Sequence, residues 1–341
     1  MTKRYSKFIY ALVVVLIASV LNPLYGHADA ATQHQVQKTS YIDVSVATLW
    51  SEPGLNRPVD APTISNPVDM WEWTTSMTLD QKLNLVGNLQ TQGLYGQEVT
   101  ILEEQGQWAK VAVHGQPTPK NQLGYPAWMP KRQLANHAMY DHMKNSRAFA
   151  QVTDPTAWLY DDKQQKRKFK EISFNTRLPV ITKVGDTALV ATPSNGMKWI
   201  AASDVTIYDS EKDIPKPTGE DLVETAKQFL GLPYLWAGVS GFGFDCSGFT
   251  YTIHRAHGVT IPRDSSVQAE NGKPVAKEDL KKGDLLFFAY NEGKGSVHHV
   301  GMYIGNGQMI HSPNSSSTVE IIDVFDSAYA KEFAGARRYI D

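Results

Sequence analysis

The stretch Phe242-Gly243-Phe244-Asp245-Cys246-Ser247-Gly248-Phe249 decides the reading of this chain, because Thr250 to His257 behind it reads as a helix stopped by Gly258. Cys246 then stands at or near a helix N-terminus. The unpaired amides and the macrodipole there favour a thiolate, and such a placement lowers a cysteine pKa from about 8.5 toward roughly 3.5–7.5. The same amides suit a developing oxyanion. Cys246 is the chain's single cysteine, so no internal disulfide accounts for it. It is either buried filler or a reactive thiol, and its neighbours favour the second.

A nucleophilic thiol needs a base, and the base needs a group that orients it. Downstream, His298-His299-Val300-Gly301-Met302-Tyr303-Ile304 and Gln308-Met309-Ile310-His311-Ser312 read as two strands joined by the hairpin turn Gly305-Asn306-Gly307. Alternation places His299 with Gly301 and Tyr303, and His298 with Val300, Met302 and Ile304. Gly301 leaves room beside His299, and His311 on the next strand is placed to hold its ring.

Upstream, Asp213-Ile214-Pro215-Lys216-Pro217-Thr218-Gly219 reads as a linker, with Thr218 starting a helix. That helix has Leu222, Val223, Ala226, Phe229 and Leu230 on one face and Gly231 as its stop. Before the linker the text is β-rich. Tyr41 to Trp50 alternates as a strand, Asn66 to Val86 reads as a helical insertion with Val68, Trp71 and Leu79 spaced among polar residues, and short strands follow at 98–102, 108–113 and 127–134. The same grammar recurs at 156–160, 176–180, 188–191 and 198–205, as a diverged repeat. Both units resemble bacterial SH3-like domains, in which a strand bearing tryptophan follows a turn; two generic β-barrels with core tryptophans are the plainer reading. The expected fold is α+β: a first SH3-like domain at 41–138 with its helical insertion, a second at 145–210, and a catalytic domain at 218–341.

Asp245-Cys246-Ser247-Gly248-Phe249, His299-Val300-Gly301-Met302-Tyr303-Ile304-Gly305 and Met309-Ile310-His311 together resemble the NlpC-type family of papain-like cell-wall cysteine peptidases. The resemblance implies that Cys246 is the nucleophile, His299 the general base and then acid, and His311 the residue that orients His299. Tyr234 would join the Cys246 amide in holding the oxyanion. Two SH3-like units ahead of such a domain further resemble γ-D-glutamyl-L-diamino acid endopeptidases, which cut peptidoglycan stem peptides between D-glutamate and the diamino acid. In that subgroup the first SH3-like domain restricts the cleft to peptides with a free N-terminal L-alanine. The implied substrate contacts are Tyr125, Trp236, Asp245, Ser247 and Ser265. The subgroup tends to carry a glutamate where this chain has Gln90, and a neutral amide there weakens the charge term toward an ammonium. On plainer readings Tyr234 and Trp236 are core aromatics, Asp245 is an N-cap, and Ser247 and Ser265 serve a cap or a turn.

At 341 residues, 42% hydrophobic and 20% charged, the chain reads as a globular protein of two or three domains. Its formal net charge of −2 offers no electrostatic footprint for nucleic acid. No His-Glu-x-x-His pattern or cysteine pair suggests a metal, and no cofactor is expected. The basic start, the apolar run Phe8 to Leu21 and Ala28-Asp29-Ala30 read as a secretory signal over 1–30, too short in its apolar part for a spanning helix. A secreted, extracellular or wall-associated protein without stable membrane insertion is expected. The competing functions are a wall-binding protein with an inactive catalytic domain, and a thiol amidase or transferase acting on another substrate.

Overall fold

The computed structural model describes residues 38–341; the segment read as an export signal lies outside them. Three large antiparallel sheets and a two-stranded ribbon, Val239–Ser240 with Gly243–Phe244, organise the described residues, and the first two sheets share one topology. In the first unit the strand order across the sheet is Leu89–Leu94, Val46–Trp50, Tyr125–Pro130, Trp108–Val113, Glu98–Gln105, Lys38–Ile42 and Leu134–Ala135. In the second it is Lys168–Ser173, Thr156–Tyr160, Met197–Ala201, Thr187–Ala191, Arg177–Val184, Phe149–Val152 and Val205–Tyr208. Numbered along the chain, both orders read third, second, sixth, fifth, fourth, first, seventh. The repeat is therefore a repeat of topology as well as of wording. Neither ladder closes: the two outermost strands of each sheet are not hydrogen-bonded to each other.

Several boundaries differ from the sequence reading. Tyr41 to Trp50 is two strands rather than one, because Asp43-Val44-Ser45 turns the chain and sends Lys38–Ile42 to the opposite side of the sheet from Val46–Trp50. The strand read at 127–134 begins earlier, at Tyr125, and ends at Pro130. The helical insertion is three short helices, Ala61–Ile64, Met70–Ser76 and Leu79–Leu83. Of Val68, Trp71 and Leu79, Val68 packs on the core. Trp71 and Leu79 are exposed, whereas Met70, Trp73, Met77 and Leu85 are buried. The breaks between short helices reset the angular period, so one helical repeat run through the whole segment assigns the wrong side. Trp73 is fully buried, and its indole N–H donates to Asp60 Oδ1 at 2.9 Å.

The C-terminal unit packs the helices Gly219–Lys227 and Cys246–Ala256 against a six-stranded sheet ordered Lys273–Val275, Phe333–Arg338, Leu285–Ala289, Val297–Gly305, Gln308–His311 and Glu320–Asp323. Thr218 caps the first helix in a reciprocal capping box with Asp221, and Leu222, Val223, Ala226 and Phe229 join the core. Leu230 does not; it is exposed, since the regular helix ends at Lys227 and the following turns swing it outward. Leu235, Ala237 and Phe242 of this unit pack into the same apolar cluster as Trp50, Trp73 and Trp128 of the first unit. The two units thus share a core.

Candidate active site

Cys246 is the first residue of the helix Cys246–Ala256. Asp245 is its N-cap, accepting from the Gly248 amide at 2.6 Å. A Cβ on Gly248 would strike the Gly238 carbonyl, so only glycine lets the helix start press this closely on the preceding loop. The Asp245 carboxylate also forms a buried ion pair with Arg263, 2.7 Å from Nη2, and Ser247 Oγ lies 3.0 Å from Arg263 Nη1. Arg263 in turn donates to Thr91 Oγ1 at 3.2 Å, and its own amide to the Pro117 carbonyl at 3.0 Å, both in the first unit. A buried charge pair of this kind fixes geometry, and losing one partner leaves the other uncompensated.

The hairpin supplies the histidines. Asn306 and Gly307 both have positive φ, as a tight two-residue hairpin turn requires, and Met302 pairs with Ile310. His299 Nε2 lies 2.8 Å from His311 Nδ1. A Cβ on Gly301 would sit 2.6 Å from Met309 Sδ and 3.2 Å from His311 Cβ, so glycine is what allows the two strands' side chains to interleave there. Alternation alone puts His298 on the opposite face from His299. A bulge between the pairs Phe288–His299 and Ala289–Val297 changes this, and both histidines line the cleft. His298 stacks on Tyr290 at 4.3 Å and faces Glu332 at 3.2 Å, while His299 stacks on Tyr329 at 5.0 Å.

One cleft of about 690 Å³ gathers these groups. Of the residues singled out from sequence, Cys246, His299, Tyr234, Tyr125, Trp236, Asp245, Ser247, Ser265 and Gln90 line it, and His311 lies behind His299, fully buried. The plainer readings also describe part of the picture. Trp236 packs on the shared core and donates its indole N–H to the Leu89 carbonyl at 3.0 Å, and Asp245 is an N-cap. Ser265 opens the helix Ser265–Glu270 at the cleft edge. The Tyr125 hydroxyl donates to Asp264, 3.0 and 3.2 Å from the two carboxylate oxygens, while Asp245 is committed to Arg263. Asp264, Lys120, Arg263, Glu320 and Tyr329 escaped the sequence reading. Asp264 and Arg263 sit in the same Pro262-Arg263-Asp264-Ser265 run as Ser265, and two adjacent charges beside a proposed site residue were the available signal.

Electrostatics correct one further expectation. Burial pushes the Cys246 thiol up to about 12, with Asp245 adding to the rise and the amides of Val300 and Ser247 and the charge of Arg263 opposing it. Desolvation outweighs the helix end. Burial, reinforced by His311 and His298, holds His299 well below 6.5, and burial takes His311 down to about 4. These directions favour a neutral thiol beside neutral imidazoles, from which a thiolate would form as His299 accepts the proton. The protonated His299 then donates through Nε2 to His311 Nδ1. That leaves the His311 proton on Nε2, 3.5 Å from Glu320 Oε1. Burial, with Cys246 next in effect, keeps the Tyr234 hydroxyl protonated and able to donate.

A thiol on a helix N-terminus, an imidazole from the neighbouring antiparallel sheet and a second imidazole behind it define a papain-like cysteine peptidase. A family model described as NlpC/P60 family matches residues 231–338, and one described as YKFC SH3b2 domain matches 152–208. The chain belongs to the NlpC/P60 family. It is 53% identical over 325 residues to a gamma-D-glutamyl-L-lysine dipeptidyl-peptidase of Bacillus cereus, covering 94% of this chain and 97% of that protein. It is 42% identical over 300 residues to the protein of the same name from Bacillus subtilis, covering 86% of this chain and 96% of that one. A crystal structure of an NlpC/P60 family protein from Bacillus cereus superposes with a TM-score of 0.86 at 53% identity, covering 89% of this chain and 100% of that one.

Proposed function

We propose that this chain hydrolyses the γ-D-glutamyl-L-diamino acid amide of peptidoglycan stem peptides, releasing L-Ala-D-Glu from a free N-terminus. The observation that carries this reading is that the first β unit forms one wall of the nucleophile's cleft and brings a carboxylate-bound tyrosine, Tyr125 on Asp264, to it. Such a wall suits an ammonium group, and a dipeptidyl-peptidase is by definition an enzyme that recognises a free amino end. The names of the two relatives add support. Cys246 Sγ attacks the D-glutamyl γ-carbonyl as its proton passes to His299, held by His311. The oxyanion is met by the Cys246 amide and the Tyr234 hydroxyl. As the C–N bond breaks, the His299 imidazolium protonates the departing amine; water, deprotonated by His299, then cleaves the thioester and restores the thiol.

Cleavage takes place outside the cytoplasm on this reading, in keeping with the export pattern over residues 1–30. The test is mass spectrometry of L-Ala-γ-D-Glu-L-Lys, its diaminopimelate counterpart and their N-acetylated forms after incubation with the protein. Release of L-Ala-D-Glu from the free-amine peptides, with much slower cleavage of the acetylated ones, is the expected result. Equal rates on free and acetylated peptides overturn the free-amine reading, and cleavage at another bond overturns the substrate assignment.

A further inference from the structure

Lys120 lies in the connection between the strands Trp108–Val113 and Tyr125–Pro130, and its ammonium reaches into the cleft wall. Nζ donates to Gln90 Oε1 at 3.3 Å and to the Tyr125 hydroxyl, stands 3.6 Å from Asp264 Oδ2, and sits 4.3 Å over the Tyr125 ring. An amide oxygen, a phenol oxygen, a carboxylate and a π face thus converge on one primary ammonium. These are the groups that bind such a cation wherever one is recognised. The side chain is 44% exposed and its four-carbon stem is flexible, so it can leave this position without unfolding anything.

We propose that Lys120 is a built-in stand-in for the substrate's N-terminal ammonium: it fills the ammonium position in the free enzyme, and a peptide binds productively only by displacing it. The proposal rests on the reading that the cleft takes a free amino end, and it deepens that reading. Two like charges cannot share the position, so each arriving ammonium exchanges for Lys120 and Asp264 stays compensated throughout. An acylated peptide brings no cation; expelling Lys120 then leaves Asp264 with the Tyr125 hydroxyl but no ammonium beside it, and leaving Lys120 in place blocks the site. Gln90 fits this arrangement, since its neutral amide oxygen accepts from Lys120 without holding it as firmly as a carboxylate would.

The test is calorimetric titration of the protein and of its Lys120→Met and Lys120→Arg variants with L-Ala-γ-D-Glu and with N-acetyl-L-Ala-γ-D-Glu. Removing the internal competitor tightens binding of the free-amine dipeptide about fivefold in Lys120→Met, the scale of a half-exposed ion pair with a hydrogen bond, while Lys120→Arg, which keeps the cation, does not tighten it. If wild type prefers the free amine and Lys120→Met binds it no better or more weakly, Lys120 is a substrate ligand or a bystander and the proposal fails alone. If both proteins bind the free and acetylated dipeptides alike, the free-amine reading itself fails and the proposal with it.

Discussion

The two β units share one strand order but meet the catalytic unit in different ways. The first contributes Val86 and Gly87 from the turn after its helical insertion, Leu89, Gln90 and Tyr125 from the starts of two strands, and Lys120 from the connection before Tyr125. No residue of the second unit lines that cleft. It reaches the far end of the nucleophile helix instead: Gln151 donates to the Ala256 carbonyl at 2.8 Å, and Arg177 Nη2 to the Arg255 carbonyl at 2.7 Å. Those carbonyls belong to the helix C-terminus, where intrahelical donors run out and a cation is favoured. Gly241 of the catalytic loop donates to Ser173 Oγ at 2.9 Å, and a Cβ there would run into the Pro155 carbonyl, so the second unit also braces the approach to the nucleophile. One repeated topology therefore does two jobs. The copy with an insertion forms part of the cleft wall, and the copy without one holds the helix that carries the thiol.

The largest effect belongs to neither copy. If both β units only shape and brace, all bond-breaking depends on Cys246, and Cys246→Ala loses roughly 10⁴-fold or more in kcat/KM while keeping its circular dichroism and melting behaviour. Turnover surviving in that variant breaks the division of labour at its root. The next contrast sets the two copies against each other. Arg177→Ala leaves a helix-end carbonyl without its charged donor and lowers stability by about 1.5–3 kcal/mol, with KM for the free-amine tripeptide unchanged in the folded protein. Tyr125→Phe removes a hydroxyl from the cleft wall and raises that KM about tenfold with a smaller effect on stability. Chemical denaturation and steady-state kinetics on both variants decide it, and a swapped pattern inverts the assignment.

Acid sharpens the comparison by a smaller margin. In the first unit, burial of Asp60 raises its pKa, but the hydrogen bonds from Arg57 and Trp73 and the Arg57 charge outweigh it and hold the carboxyl below its ordinary 3.8. In the second unit Asp154 is raised, by burial first and then by Asp204. A depressed carboxyl contributes stability that is complete above 3.8 and is lost as pH falls through the folded value; a raised one has the opposite sign, so acid removes a penalty there. Of these two carboxyls, Asp60 is the one whose protonation costs stability. Melting temperatures of wild type and Asp60→Asn measured against pH should converge as pH drops below about 4. A gap that stays constant down to pH 3 rules this linkage out.

Much of the site was legible because its signals are local. A cysteine after a loop and before a helical run, two histidine strands joined by Gly305-Asn306-Gly307, and a small residue at Gly301 are short-range statements about backbone direction, and chain order alone conveys them. The repeat of the β units was legible for the same reason, as strand and turn periods. The helical insertion was less so: its three short helices each restart the period, and only packing against Trp50 and Trp128 decides that Trp73 faces inward and Trp71 outward.

By itself, then, the sequence determined where the nucleophile's helix begins, which strands bring the imidazoles, and that two like units precede them. Tertiary structure alone decided which charges meet. Asp245 is taken by Arg263, Tyr125 turns to Asp264, and Lys120 fills the space between Tyr125 and Gln90, pairings that join residues up to 139 positions apart along the chain. It also supplies the burial that opposes the helix end at the thiol. Charge pairing and desolvation depend on distance in space, and hydrophobic periodicity carries no record of that between segments so far apart.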